Sequence, residues 1–336
     1  MAFSLFGLFG CRAAGSAPYT NLDVAAFAQA EGRRVDVRTP EEYAEGHLRG
    51  AVNVDWQADG FLERMEALFG KDEPLAVYCR SGRRSAAAAE KLAAAGFKVS
   101  NLLGGYLAWT EAGQPVTLLG VETFRTDHGH VDVTLIKHGS LAISFGGYSI
   151  QVDPVAAYGV PTDYAAEFPK ADLILVTHEH ADHLDAETVG LLRKDALVTN
   201  ASCAEMLGWG TVLANGGSVT VLDGVRVGAV PAYNTTPGRE KFHPKGRDNG
   251  FVLTLDGFRI YIAGDTEDIP EMADIKDIDL AFLPVNQPYT MTVEQCARAA
   301  EVIRPRILIP YHFGNTDLSA LPGMLPGIDV RLRAMQ

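Results

Sequence analysis

The sequence predicts two domains that both mix sheets and helices: a parallel α/β sheet flanked by helices, then β-rich runs flanked by helices. Three observations carry this reading. At 336 residues the chain is long for one compact domain. Residues 19–115 alternate short apolar runs with helical patterns, the pattern of a parallel sheet. From His130 onward short β-rich runs follow one another across glycines, as in a meander.

In the first domain "RVDV" (34–37), "LAVYC" (75–79) and "VSNLL" (99–103) read as buried strands, and "SAAAAEKLAAAG" (85–96) as a helix ending at Gly96. "EAGQPVTLLG" (111–120) breaks the pattern, and the polar "VETFRTDHG" after it reads as a linker. In the second domain, Asp-Gly at 223–224 and 256–257 signals two hairpins, because Asp-Gly readily adopts positive φ. Helical patterns fall around 186–193 and 292–304. The expected division is a flexible tail (1–17), a first domain (18–117), a linker (118–129) and a second domain (130–336).

Composition bounds the function. The chain is 47% hydrophobic and 21% charged, as in an ordinary globular protein, and no apolar run approaches the ~20 residues of a membrane helix. A formal charge of −13 argues against a nucleic-acid or anionic-membrane partner spread over the whole surface. Cys11, Cys79, Cys203 and Cys296 form no CxxC pair and no disulfide framework, which suits a reducing compartment; Cys203 and Cys296 sit among apolar neighbours and read as core. "MAFSLFGLFGC" has no Lys or Arg before its apolar stretch, so it reads as a tail on a cytoplasmic protein rather than a signal peptide.

Two stretches carry chemistry. "YCRSGRRS" places Cys79 at a strand end before a helix, where the backbone N–H groups of Arg80, Ser81, Gly82, Arg83, Arg84 and Ser85 can curl around the sulfur. The helix N-terminus and three arginines add positive potential, and all of these favour a nucleophilic thiolate. A cysteine phosphatase wants Arg six residues after its Cys, and Ser85 stands there. "LILVTHEHADHLD" runs from an apolar strand into His178, His180, Asp182 and His183. The first two histidines can converge on one cation while Asp182 and His183 face a second.

"VDVRTPEEYAEGHLRGAVNV" (35–54), "YCRSGRRS" and "NLLGGYLAWTEAGQPV" (101–116) together resemble a single-domain rhodanese over nearly its whole length. The resemblance implies a persulfide carried on Cys79, a sulfur donor or acceptor as partner, and fold-supporting roles for Asp36, Arg38 and His47. Arg49 departs from the proline usual at that place. HxHxDH, Asp153 in "IQVDP", Asp265 in "IYIAGDT" and His312 in "ILIPYHFG" resemble the metallo-β-lactamase superfamily across most of 130–336, and "LIKHGSLAIS" is most similar to its lactonase-like and phospholipase-D-like branch. That resemblance implies an αββα sandwich, with Asp265 bridging and His312 completing a site for two divalent cations. Zinc comes first, with manganese or iron as alternatives. The implied reaction is attack of activated water on a phosphoryl or acyl centre, with Asp182 orienting the nucleophile.

One ligand is displaced. The superfamily's third histidine falls where this chain has Asn234. Three alternatives stand: His243, nine positions on, folds back to ligate; His178, His180 and Asp265 hold the first cation alone; or Asn234 binds through its oxygen. The same loop carries Arg239, Lys241, Lys245 and Arg247 against Glu240, which points to a small anionic substrate or to an ordinary solvated loop. Tyr289, in "NQPYTMT", is a candidate pocket wall. The leading expectation is a metal-dependent hydrolase joined to a sulfur-carrying module, with homo-oligomers compatible. A persulfide dioxygenase using one iron, and a non-catalytic sulfur sensor, are the alternatives.

Overall fold

A computed structural model describes residues 18–335, and the expected tail 1–17, with Cys11, lies outside them. The chain divides into two compact units between Leu118 and Leu119.

The first unit is built on a five-stranded sheet in the order Thr20–Leu22, Lys98–Leu102, Pro74–Tyr78, Arg33–Asp36, Val52–Asn53, with every pairing parallel. Parallel strands need crossovers, and the helices Val24–Gln29, Phe61–Leu68 and Arg83–Ala94 supply them. The strand Pro74–Tyr78 is central and buried from Leu75 onward, which is why its sequence is a continuous apolar run rather than an alternation. Asp36 and Arg38 form a buried forked pair at 2.6–3.0 Å, and Arg38 also donates to the Gly46 carbonyl at 2.7 Å. His47 stacks on Tyr43 with ring centres 3.6 Å apart.

The second unit has two seven-stranded sheets. One runs from Thr211–Val212 through Arg193–Thr199, Ala171–Val176, Tyr148–Val152, Ser140–Phe145 and Gly129–Lys137 to Val121–Thr126. The other runs from Ser218–Leu222 through Val225–Ala232, Asp248–Leu255, Phe258–Ile262, Leu280–Pro284 and Ile307–Tyr311 to Asp329–Val330. Their inner faces share one core, in which Val133, Ile143, Val152 and Leu175 of the first sheet pack with Val227, Phe251, Ile260 and Phe282 of the second. Helices cover both outer faces: Ala186–Leu192 and Ala201–Leu207 on the first, Val293–Ile303 on the second. This is the αββα sandwich. Cys203 and Cys296 lie in the two outer layers, fully buried, and burial pushes both thiols up to about 12.

The stretch 118–129 differs from expectation. It holds the strand Val121–Thr126, which pairs antiparallel with Gly129–Lys137 and edges the first sheet. Its polar residues hid it, since only Phe124 carries a large apolar side chain into the shared core.

The topology gathers strand ends at one place. The strands Tyr148–Val152, Ala171–Val176, Phe258–Ile262 and Ile307–Tyr311 release Asp153, Thr177–His183, Ala263–Glu267 and His312 respectively. Val225–Ala232 ends at that same edge and pairs back at Asp248 through the Ala232–Asp248 register. The excursion between them carries Asn234 and His243.

Candidate metal centre and cysteine loop

Thr177 and His178 leave a strand whose six residues are all buried, so the first imidazole starts inside the protein rather than on its surface. His183 returns to the same place because its backbone N–H closes on the His180 carbonyl at 2.9 Å. Asp265 occupies the middle. Its Oδ2 is 3.9 Å from His178 Nε2, 3.3 Å from His243 Nε2 and 3.3 Å from His312 Nε2, and its Oδ1 is 3.3 Å from His183 Nε2.

Two groups of ligand atoms lie about this carboxylate. His178, His180 and His243 form one, their nearest nitrogens within 4.8 Å of one another. Asp182, His183, His312 and His138 form the other, also within 4.8 Å. His178 Nε2 and His180 Nδ1 are 3.2 Å apart, and Asp182 Oδ2 lies 3.5 Å from His312 and 3.9 Å from His183. Ligands held about 2.0–2.1 Å from one ion stand roughly 3–3.5 Å apart, and the His178–His180 and Asp182–His312 separations fall in that range.

A further layer of carboxylates fixes the rings. His183 Nδ1 donates to Asp153 Oδ2 at 2.8 Å. The Thr177 hydroxyl donates to Asp153 at 2.7 Å and accepts from His178 Nδ1 at 2.9 Å. His243 Nδ1 donates to Asp248 Oδ2 at 3.0 Å. Each partner sets the tautomer and leaves the other ring nitrogen directed at the site. Burial holds His178 well below the usual imidazole range, so its ring stays neutral with a lone pair available. Burial also opposes ionisation of Asp182, but His138 and His312 outweigh it and hold the carboxyl well below the usual range. His183 Nε2, His312 Nε2 and Asp265 Oδ1 are buried with no hydrogen-bond partner among the described residues. Orphaned lone pairs of this kind, drawn from imidazoles and carboxylates, fit borderline divalent cations.

His138 has no place in the sequence reading beyond the quoted "LIKHGS". It lies in the turn between two strands with φ 45°, accepts the His312 N–H on its carbonyl at 3.0 Å, and donates from Nε2 to Asp182 at 2.9 Å. A lone histidine after a strand gave no signal. Asp153 and His312 share its left-handed backbone, at φ 42° and 47°, a strain of about 1–2 kcal/mol each that the surrounding packing sustains.

At the displaced ligand, Asn234 and His243 lie against each other. Asn234 Nδ2 donates to the Tyr289 carbonyl at 2.7 Å, and the Asn234 N–H donates to the His243 carbonyl at 2.9 Å. His243 forms the three-imidazole group with His178 and His180, while Asn234 Oδ1 is buried without a hydrogen-bond partner among the described residues.

The cations of this loop have partners in the fold. Arg247 pairs with Asp248 at 2.6 Å and Glu179 at 3.1 Å, Lys245 with Glu271 at 2.6 Å, and Arg239 lies 3.5 Å from Glu267. Lys241 lies over the Phe242 ring at 5.0 Å. Acidic partners far away in sequence neutralise three of the four, so the loop offers no free cationic patch. Tyr289 is half-exposed and packs edge-on against Phe242 at 5.1 Å.

In the first unit Cys79 ends the central strand, and Gly82, at φ 87°, caps the helix Arg83–Ala94. The Ser85 hydroxyl donates to Cys79 Sγ at 3.4 Å. Burial works against the thiolate, but Ser85 and the backbone N–H groups of Ser81 and Gly82 outweigh it and lower the thiol pKa. Arg80, Ser81, Arg83, Arg84 and Gln57 line a cavity of about 330 Å³ beside the loop. Arg84 is forked onto Glu42 by two contacts of 2.7 Å.

Comparison with known proteins agrees with both units. The model of the family described as "Beta-lactamase superfamily domain" matches residues 132–312, and that of the "Rhodanese-like domain" matches 23–112. A "UPF0173 metal-dependent hydrolase" of Pyrococcus abyssi is 34% identical over 197 residues, 55% of this chain and 85% of that relative. Its counterpart in Thermus thermophilus is 32% identical over 191 residues, 55% of this chain and 84% of that relative. The crystal structure of a Parabacteroides distasonis protein described as a metal-dependent hydrolase is 53% identical, covers 65% of this chain and 100% of its own, and has a TM-score of 0.62. Igni18, a metallo hydrolase from Ignicoccus hospitalis, is 26% identical, covers 60% and 94%, and has a TM-score of 0.53. The chain belongs to the beta-lactamase superfamily, as a metal-dependent hydrolase that carries a rhodanese-like domain ahead of its metallo domain.

Proposed function

We propose that the second unit hydrolyses a phosphoryl or acyl centre at a site for two divalent cations, zinc foremost. The residues that would hold them are His178, His180 and His243 on one side and Asp182, His183 and His312 on the other, with Asp265 shared. The supporting observation is the central place of Asp265, whose two oxygens face imidazoles of both groups at 3.3 Å. A bound cation pair supplies Lewis acidity and a water acidic enough to ionise near neutral pH.

The chain's own groups do the rest. Asp182 is anionic and 23% exposed in a site otherwise largely sealed, so it faces the side from which substrate and water arrive. Neutral His138 donates to one of its oxygens, which fixes the carboxylate and leaves it able to accept a hydrogen bond from a water and so orient it.

In the first unit Cys79 thiolate attacks the outer sulfur of a donor such as thiosulfate, releasing sulfite and leaving a persulfide on Cys79. The lowered thiol pKa and the basic cavity support this. Among the described residues Cys79, Cys203 and Cys296 are free thiols, which agrees with a cytoplasmic site.

The test is metal analysis of protein purified without chelators, followed by a panel of lactones, phosphodiesters, thioesters and persulfides. The expected result is two equivalents of metal and turnover of an ester class that His183→Ala abolishes and Cys79→Ser leaves intact. Oxygen uptake with sulfite release from glutathione persulfide, and no ester hydrolysis, would replace this reading with sulfur oxidation at a single iron.

A further inference from the structure

The imidazole of His243 reaches Asp265 only because the chain reverses sharply after Ala232 and comes back at Asp248. One buried side chain fastens that reversal. Glu267 is fully buried, and its Oε2 accepts from the Thr235 N–H at 2.8 Å, the Thr236 N–H at 2.6 Å and the Thr235 hydroxyl at 3.0 Å. The Glu267 N–H donates to the Tyr233 carbonyl at 3.0 Å. Beside it the Thr266 hydroxyl accepts the Tyr233 N–H at 3.1 Å and donates to the Tyr233 carbonyl at 3.0 Å.

The turn so held contains Asn234, whose N–H ties directly to the His243 carbonyl. Further along the loop, Arg239 Nη1 is 3.5 Å from the other Glu267 oxygen. A single segment, Asp265–Glu267, thus supplies the shared carboxylate and clasps the loop that carries an imidazole to it.

We propose that Glu267 is a positioning residue for the first cation site, holding the return loop so that His243 stands against His178, His180 and Asp265. The proposal rests on the reading that His243 is a ligand of that site. Loss of the carboxylate takes away the one acceptor that ties two backbone donors and a hydroxyl of the half-buried turn to the Asp265–Glu267 segment, and with that fastening gone water competes for those donors and the loop is free to move. Opening carries His243 away, while Asp182, His183 and His312 sit on other segments and keep their places.

The full-length chain, stripped of metal, is titrated with cobalt(II), reading the visible absorption and the equivalents retained after desalting. Wild type binds two equivalents. Glu267→Ala keeps one and weakens the other by roughly 10–100-fold, the loss usual when support behind a ligand is removed. His243→Ala weakens the same equivalent, and the double variant loses no more than the worse single one. Glu267→Gln, which keeps one acceptor oxygen, gives an intermediate loss, and it decides the matter alone if Glu267→Ala does not fold. Wild-type affinity for both equivalents in the Glu267 variants, or losses that add in the double variant, overturns the proposal. Wild-type binding in His243→Ala instead overturns the ligand assignment beneath it.

Discussion

At Cys79 the opposing influences are visible one by one. Burial favours the neutral thiol, and the Ser85 hydroxyl with the backbone N–H groups of Ser85, Ser81 and Gly82 favours the thiolate and prevails. Because the pKa is lowered, the thiolate persists to lower pH than for an ordinary cysteine, whose value is 9.0. Alkylation of Cys79 by iodoacetamide should therefore show a rate midpoint below pH 9.0, and Ser85→Ala should move that midpoint upward. A midpoint unmoved by the substitution would remove Ser85 from the account. Legibility in sequence follows the same locality. Cys79 with its loop, and His178 to His183, were legible because the residue types that carry their chemistry stand close together along the chain. His243 was visible only as one of three alternatives, since its contacts depend on where a loop returns. His138 gave no signal at all. The two readings of the cations could not be separated in sequence, because their partners Glu179, Glu267 and Glu271 come from segments that only the fold brings near.

At the scale of elements, the site depends on how closely the turn at His138–Ser140 approaches the HxHxDH loop. A Cβ on Gly139 would stand 2.6 Å from His183 Cε1, although the Gly139 backbone itself is one any residue could adopt. Gly139→Ala should thus act purely by crowding. We expect a stability loss of about 1–3 kcal/mol in urea unfolding, with a weakened second metal equivalent and an intact first one. Retention of both equivalents at full affinity would show that His183 can shift without cost to the site. Gly105 plays a comparable part under the cysteine loop, where a Cβ would collide with the Cys79 carbonyl. The apolar and Asp-Gly patterns foretold most strands, because period and turn chemistry are local. Val121–Thr126 escaped because an edge strand needs few apolar residues, and "VETFRT" has only Phe124 with a large one to mark it.

At the scale of the whole molecule, every metal-ligating candidate lies in the unit Leu119–Gln336 and the cysteine loop lies in the other. Ligand binding stabilises only the folded unit that binds, so metal should act on one part of the unfolding curve. A cation present at 100 times its dissociation constant contributes about 2.7 kcal/mol, or roughly 5–10 °C in a domain of this size. Calorimetry of the full chain should then show two transitions, with a chelator lowering one by that amount and leaving the other in place. Cys79→Ser should leave the metal-sensitive transition where it is, and His183→Ala should make that transition insensitive to added metal. A single transition that moves as one with chelation would mean that the two units unfold together. In that case loss of metal would also lower the stability of the unit that holds the cysteine loop, and Cys79 would depend on the metal site without any shared substrate.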